Sequence, residues 1–209
     1  MSLGAISSAI AEHEPQSQSF ARLLGEDSAH ALSADELAAE IIGGASAEAS
    51  ARAERPRVVL NMASTIDGRA SVNGRSGAIG NEADRELFHA LRARTDGVLV
   101  GAGTARAERY GRLLKDPSVR AARRLRGMRE EPLACIVSAS LELDPDELPL
   151  LAEPAARVAV LTPSEGTIAG AATAAIEYVR ASDGNGIDLA GALRELSARF
   201  DVRELLCEG

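Results

Sequence analysis

The chain has 209 residues, enough for one domain with an extension or for two small domains. Hydrophobic residues make up 45% and charged residues 26%, a balance that supports a sizeable core and argues against broad disorder. A net charge of −8 repels a phosphate backbone, and aromatics at 2% with no Trp leave few rings for base stacking, so the composition argues against nucleic acid as a partner.

Cys135 and Cys207 lie in separate apolar runs and read as buried free thiols in a reducing compartment. No apolar run approaches ~18 residues, the length needed to span a membrane. The first residues lack a charged region followed by an apolar one, so no secretory signal is expected. The expected location is cytoplasmic.

Residues 1–54 are rich in Ala, Ser and Glu and read as an N-terminal extension. Ser33 followed by Glu36 makes a capping box, Leu37, Ile41 and Ile42 give a short apolar face, and Gly43-Gly44 stops the helix. The arm is expected to pack on the main domain or on a partner subunit. The main domain is read as residues 55–209. Pro56 precedes a strand at 57–63, and Asn81 caps a helix over 82–94, with Leu87, Ala90, Leu91 and Arg94 at helical spacing. A strand at 97–100, a glycine turn and a second short helix follow. Residues 109–131 read as an exposed, basic connection. Further strands are expected at 133–137, 157–161, 176–180 and 204–207, and helices near 167–174 and 188–199. Ile187, Leu189, Leu193 and Leu196 line the apolar side of the last helix. Short aliphatic strands alternating with helices predict an α/β fold, its sheet mostly parallel and covered on both faces.

Four stretches could carry chemistry. Val98-Leu99-Val100 runs into Gly101-Ala102-Gly103-Thr104 and then into a helix. Glycines at the carboxyl end of a strand let backbone N–H groups approach a phosphate. The third glycine of a full dinucleotide fingerprint would fall at Arg106, so a plain strand-to-helix turn fits equally well. In VVLNMASTIDG (58–68), Asn61 and Ala63 point to one face and Met62 and Ser64 to the other. The small residues leave room for a flat ring, although Asp67-Gly68 could simply end a strand. Asn73-Gly74-Arg75-Ser76-Gly77 is a polar, glycine-rich loop, which either holds a ligand or only connects. Arg120, Arg123, Arg124, Arg126 and Arg129 form a basic run, either a solvated helix face or a phosphate site.

The zinc-deaminase, metalloprotease and nucleophile-elbow signatures are absent, and no metal site is expected. His89 reads as a structural histidine. No nucleophile–base pair can be assembled, so a bound cofactor would carry the hard step.

Together these segments resemble the reductase domain of riboflavin biosynthesis, the pyrimidine reductase family. VVLNMASTIDG resembles the family's opening strand, NGRSGAIG its substrate-side loop, and LRARTDGVLVGAGTARAE its L-R-x…G-x-G-T stretch. ELLCEG resembles the start of its E-G-G-P-T-L motif. The resemblance covers residues 55–209. It implies a dihydrofolate reductase-like, three-layer α/β/α fold with a mostly parallel central sheet flanked by helices. It implies NADPH-dependent reduction of the ribosylamino side chain of a pyrimidine 5′-phosphate to ribitylamino. It also implies a homodimer. By the match, Ala63 and Thr104 contact NADPH, Gly101, Gly103 and Glu108 lie nearby, and Ser138 lies on the cofactor side. Asn61, Ser76 and Arg92 hold substrate, with Arg92 available for its phosphate. Glu208 faces the reacting sugar, and Asp67 fixes a turn.

Three features depart from the family pattern. Asn61 stands where bifunctional bacterial members carry Lys. Ala107-Glu108-Arg109-Tyr110 replaces A-D-x-P. The sequence reaches Glu208-Gly209 where the family's motif runs on, so the remaining diphosphate cradle and last strands are expected beyond it; without them an unpaired sheet edge and weak or no NADPH binding are expected. The alternatives are a reductase of a different pterin or pyrimidine and a non-catalytic nucleotide-binding protein.

Overall fold

In the computed structural model, which describes residues 18–21, 31–44, 54–71 and 79–209, the aliphatic runs assemble into one six-stranded sheet. Its strands are β3 (Arg57–Leu60), β4 (Gly97–Gly101), β5 (Leu133–Val137), β6 (Arg157–Thr162), β7 (Ala175–Arg180) and β8 (Glu204–Cys207). Every pairing is parallel, in the order β3-β8-β4-β5-β6-β7. A separate antiparallel pair, β1 (Ser19–Ala21) and β2 (Ala31–Ser33), lies in the N-terminal arm.

The inner strands are aliphatic without alternation because both faces are buried. Val59, Leu206, Val98, Ala134, Val158 and Ile176 stand in one register row. Toward β3 and β8, their face is covered by α1 (Ala34–Gly43) and α2 (Glu82–Arg92), through Ala38, Ile42, Leu87 and Leu91. Toward β5 and β6, Leu113, Leu143, Leu148 and Leu151 cover it. On the opposite face, Leu99, Cys135, Leu161 and Leu205 pack under Ala192, Leu196 and Phe200 of α5 (Leu189–Phe200). The result is the three-layer α/β/α arrangement expected from the sequence. Among the described residues no helix is long and apolar enough to cross a membrane.

The capping box of α1 forms as its residues suggest: Ser33 Oγ accepts from Glu36 N, and Ser33 N donates to Glu36 Oε2. Arg57 donates to the carbonyls of Ile41 and Ile42 at the other end of the helix and pairs with Glu204 at 2.8 Å. The arm is thereby tied to the sheet's amino end.

Three expectations need correction. The first strand ends at Leu60 rather than 63, because Thr65, Asp67 and Arg69 close a turn with Gly68 at φ 82°. Residues 167–174 are not helical. They form an irregular strap in which Ile168 and Ala172 face the core, and Gly170 at φ 88° breaks any helix. Tyr178 Oη accepts from Ile168 N, and the Leu151 carbonyl accepts from Thr173 N and Ala174 N, so these backbone donors find partners outside any helix. Finally, 109–131 is not an exposed connection. It contains α4 (Pro117–Leu125), and Leu113, Leu114 and Arg123 are buried.

Candidate active site

Ligands of parallel α/β sheets sit beyond the carboxyl ends of the strands. Here β3, β8 and β4 end side by side. Asn61 and Ala63 follow β3, Glu208 and Gly209 follow β8, and α3 (Ala102–Ala107) starts directly after β4. The ladder continues past the strands: Asn61 N donates to Cys207 O, Glu208 N to Leu99 O, and Gly101 N to Gly209 O. A cavity of about 1190 Å³ opens above these ends. A single small-molecule site usually takes about 300–1,000 Å³, so the cleft is large enough for a sizeable ligand. A Cβ at Gly103 would meet nothing within 4 Å, so the first turn of α3 offers bare backbone to the cavity.

Three side chains form its charged centre. Arg92, from the last turn of α2, donates through Nε to Glu208 Oε1 and through Nη2 to Oε2, both at 2.7 Å. Tyr110 Oη donates to Glu208 Oε2 at 2.6 Å. The Arg92 and Glu208 side chains are 9% and 2% exposed. The guanidinium carbon lies 4.2 Å from the Phe88 ring centroid and 5.2 Å from that of Tyr110, so aromatic rings shield the ion pair. Burial opposes the Arg92 charge, but the Glu208 carboxylate more than offsets it and raises the guanidinium above its ordinary range. Burial, reinforced by the negative charge of Glu208, pushes the Tyr110 phenol well up. His89 also lines the cavity, and partial burial together with the Arg92 charge lowers its imidazole.

Seven of the residues singled out in the sequence line this cavity: Asn61, Ala63, Arg92, Gly103, Thr104, Glu108 and Glu208. Gly101 lies at its base outside the lining, bonded to Gly209. Ser138 ends β5, is 3% exposed and accepts from Leu141 N; it too is outside the lining. Ser76 lies outside the described residues. Sequence reasoning missed Tyr110, Phe88 and Lys115, which share the lining. The one available signal for Tyr110 was its place in the segment that departs from A-D-x-P.

Most of the basic run is engaged within the fold, and of its members Arg126 lines the cavity. Arg123 is 1% exposed and donates to the carbonyls of Arg129, Thr95 and Arg92. Arg120 and Arg124 pair with Glu130, and Arg126 pairs with Asp35. Among the described residues no three His, Cys, Asp or Glu side chains come together as metal ligands.

The model of the RibD C-terminal domain matches residues 56–209. The chain belongs to the RibD C-terminal domain family. This is the riboflavin-biosynthesis family that the four sequence segments resemble. Solved structures agree. A pyrimidine reductase-like protein from Corynebacterium diphtheriae is 23% identical with a TM-score of 0.63, over 82% of this chain and 72% of that one. A diaminohydroxyphosphoribosylaminopyrimidine deaminase/5-amino-6-(5-phosphoribosylamino)uracil reductase from Thermotoga maritima is 29% identical with a TM-score of 0.56. That match covers 75% of this chain and 39% of the Thermotoga chain. The riboflavin biosynthesis reductase of Saccharomyces cerevisiae is 22% identical with a TM-score of 0.53, over 76% of this chain and 64% of the yeast chain. At these identities the corynebacterial and yeast likenesses are of fold. No curated protein matches the chain.

Proposed function

We propose that this chain reduces the ribosylamino side chain of a pyrimidine 5′-phosphate to ribitylamino with NADPH. The observation that carries the reading is convergence: Asn61, Ala63, Gly103, Thr104 and Glu208, drawn from three strand ends, line one cavity. The residues suit a dinucleotide. Ala63 is small, Gly103 leaves its backbone open, and the Thr104 hydroxyl stands 3.6 Å from where a Cβ of Gly209 would lie. NADPH, when bound, supplies the hydride. The opened sugar presents an imine; C1 takes the hydride and the adjoining nitrogen takes a proton. The protein's task is to align C1 and exclude water, which needs no catalytic dyad.

In this reading Asn61 and Glu208 face the sugar, and Ser76 belongs to the substrate-side loop. Arg92 has two of its donors on Glu208 and a third directed at the Leu113 carbonyl at 3.4 Å. Lys115, exposed on the same cavity, is a second cation available to the 5′-phosphate. A cytoplasmic homodimer, without nucleic acid or membrane as partner, completes the reading.

The test is NADPH consumption at 340 nm with a ribosylaminopyrimidine 5′-phosphate, with dihydrofolate as comparison. Turnover of the pyrimidine is expected. Turnover of dihydrofolate alone would overturn the substrate. Fluorescence-detected NADPH binding without any turnover would overturn the enzyme.

A further inference from the structure

Tyr110 is held in place independently of the group it touches. Its N–H donates to Ala105 O at 2.9 Å and its carbonyl accepts from Leu150 N at 2.8 Å. The preceding residue, Arg109, takes φ 50°, which turns the chain sharply out of α3. The ring packs on the apolar cluster of the sheet. The fold therefore aims the phenol at Glu208. Arg92 approaches the same carboxylate from α2, its guanidinium flanked by Phe88 and by the Tyr110 ring itself. Three donors thus converge on Glu208: Arg92 Nε on Oε1, and Arg92 Nη2 and Tyr110 Oη on Oε2. A carboxylate has about four acceptor positions, so one remains, on Oε1.

We infer that Tyr110 is a positioning residue: with Arg92 it fixes the orientation of the Glu208 carboxylate, so that the remaining position on Oε1 is held toward the sugar. The catalytic consequence rests on the reductase reading; the contact itself does not. The three donors hold both carboxylate oxygens in place. Fixing the group matters because a misplacement of about 1 Å can cost about 100-fold in rate. The charged groups that act on the phenol are Glu208 after β8 and Arg92 on α2; His89, Glu108, Arg109, Arg112 and Lys115 line the same cavity.

The chain has two tyrosines and no tryptophan, so phenol ionisation can be read directly. Tyr178→Phe leaves Tyr110 as the sole tyrosine. Its absorbance at 295 nm is expected to show no ionisation around pH 10, the ordinary midpoint. Adding Glu208→Gln is expected to bring the midpoint back toward about 10. Circular dichroism at each pH restricts the reading to folded protein. Where alkaline unfolding intervenes, the ¹³Cζ resonance of labelled Tyr110 at pH 8 is expected to move on Glu208→Gln. A midpoint near 10 in the folded protein, or a resonance indifferent to Glu208, overturns the contact. The role is tested by Tyr110→Phe. We expect kcat to fall at least about tenfold, the worth of one hydrogen bond to a charged group, with the KM for NADPH unchanged. Wild-type kcat in Tyr110→Phe, or a loss that appears in the KM for NADPH and not in kcat, would overturn positioning. Absence of turnover in the wild type would instead defeat the reductase reading and leave the spectroscopic result standing.

Discussion

Replacing Arg92 with Met measures how dry the charged centre is. In the native chain the Arg92 and Glu208 side chains are 9% and 2% exposed and share two 2.7 Å hydrogen bonds. Met keeps much of the stem and removes the cation, leaving the carboxylate to Tyr110 alone. Removing one partner of a buried pair costs about 3–5 kcal/mol, because the other charge stays desolvated. Loss of the guanidinium between Phe88 and Tyr110 adds about 1 kcal/mol. Against a domain stability of about 5–15 kcal/mol this is a large fraction. With a urea slope of about 2 kcal/mol per M, the midpoint falls by roughly 2–3 M. The companion variant Arg92→Met/Glu208→Leu removes both charges. Replacing a whole buried pair by apolar groups is neutral or stabilising by about 1–4 kcal/mol, so the double variant recovers most of the loss while turnover disappears. Urea unfolding followed by circular dichroism reads both. A drop of less than about 0.5 M in the single variant would refute the reasoning, since that is the scale of solvated ion pairs. So would a double variant no more stable than the single one.

Four further outcomes are expected. Arg123→Met strands the carbonyls of Arg129, Thr95 and Arg92 and lowers stability by about 3 kcal/mol in urea titration, whereas Arg124→Ala, exposed on the same helix, changes it by less than about 0.5 kcal/mol. Burial raises the Cys135 thiol, and burial with the Glu208 charge raises the Tyr110 phenol. The folded chain therefore holds more protons than the unfolded one above about pH 9, and stability is lost as pH rises, by up to about 1.4 kcal/mol per pH unit for each group; thermal melts from pH 8 to 11 check this, with Cys135→Ala flattening the first part. Burial and Arg92 lower His89, so its contribution is present above about pH 6.5 and is lost as pH falls below it; His89→Gln is expected to flatten melts between pH 5 and 6.5. Gly103→Leu adds a side chain where nothing lies within 4 Å of a Cβ, so the melting temperature holds or rises while NADPH binding weakens at least about tenfold in a fluorescence titration.

What could be read in the sequence depended on how local its cause was. The β5 and β8 runs match expectation residue for residue because an aliphatic run buried on both faces has one reading. Ser33 and Glu36 located α1 because a capping box needs only four residues. The strap at 167–174 misled because Ile168 and Ala172, four apart, suit a helix as well as an irregular crossing; the choice is made by Tyr178 and Leu151, which lie elsewhere in the chain and supply the acceptors. Arg123 could not be read as buried, since the three carbonyls that justify its burial come together only after α2, β4 and α4 are placed. Tyr110 and Glu208 are separated by 98 positions, and their meeting depends on a strand order that periodicity does not encode.

That order explains why a core strand turns polar after Leu60. β8, late in the sequence, inserts between β3 and β4, so Asn61 and Ala63, Glu208 and Gly209, and Gly103 and Thr104 finish as neighbours. The insertion must be held in register, because a slip of one residue would exchange Leu205 and Leu206 between the two cores. Aliphatic side chains of similar size discriminate weakly between the two settings. Charges at both ends discriminate strongly. Glu204 meets Arg57, and Asp96 accepts from Arg203 N and Glu204 N at the amino end; Glu208 meets Arg92 and Tyr110 at the carboxyl end. A slipped strand would leave the Glu208 carboxylate buried without its donors. The same ion pair that shapes the candidate active site therefore also selects the register that builds it, and damage to one is expected to appear as damage to the other.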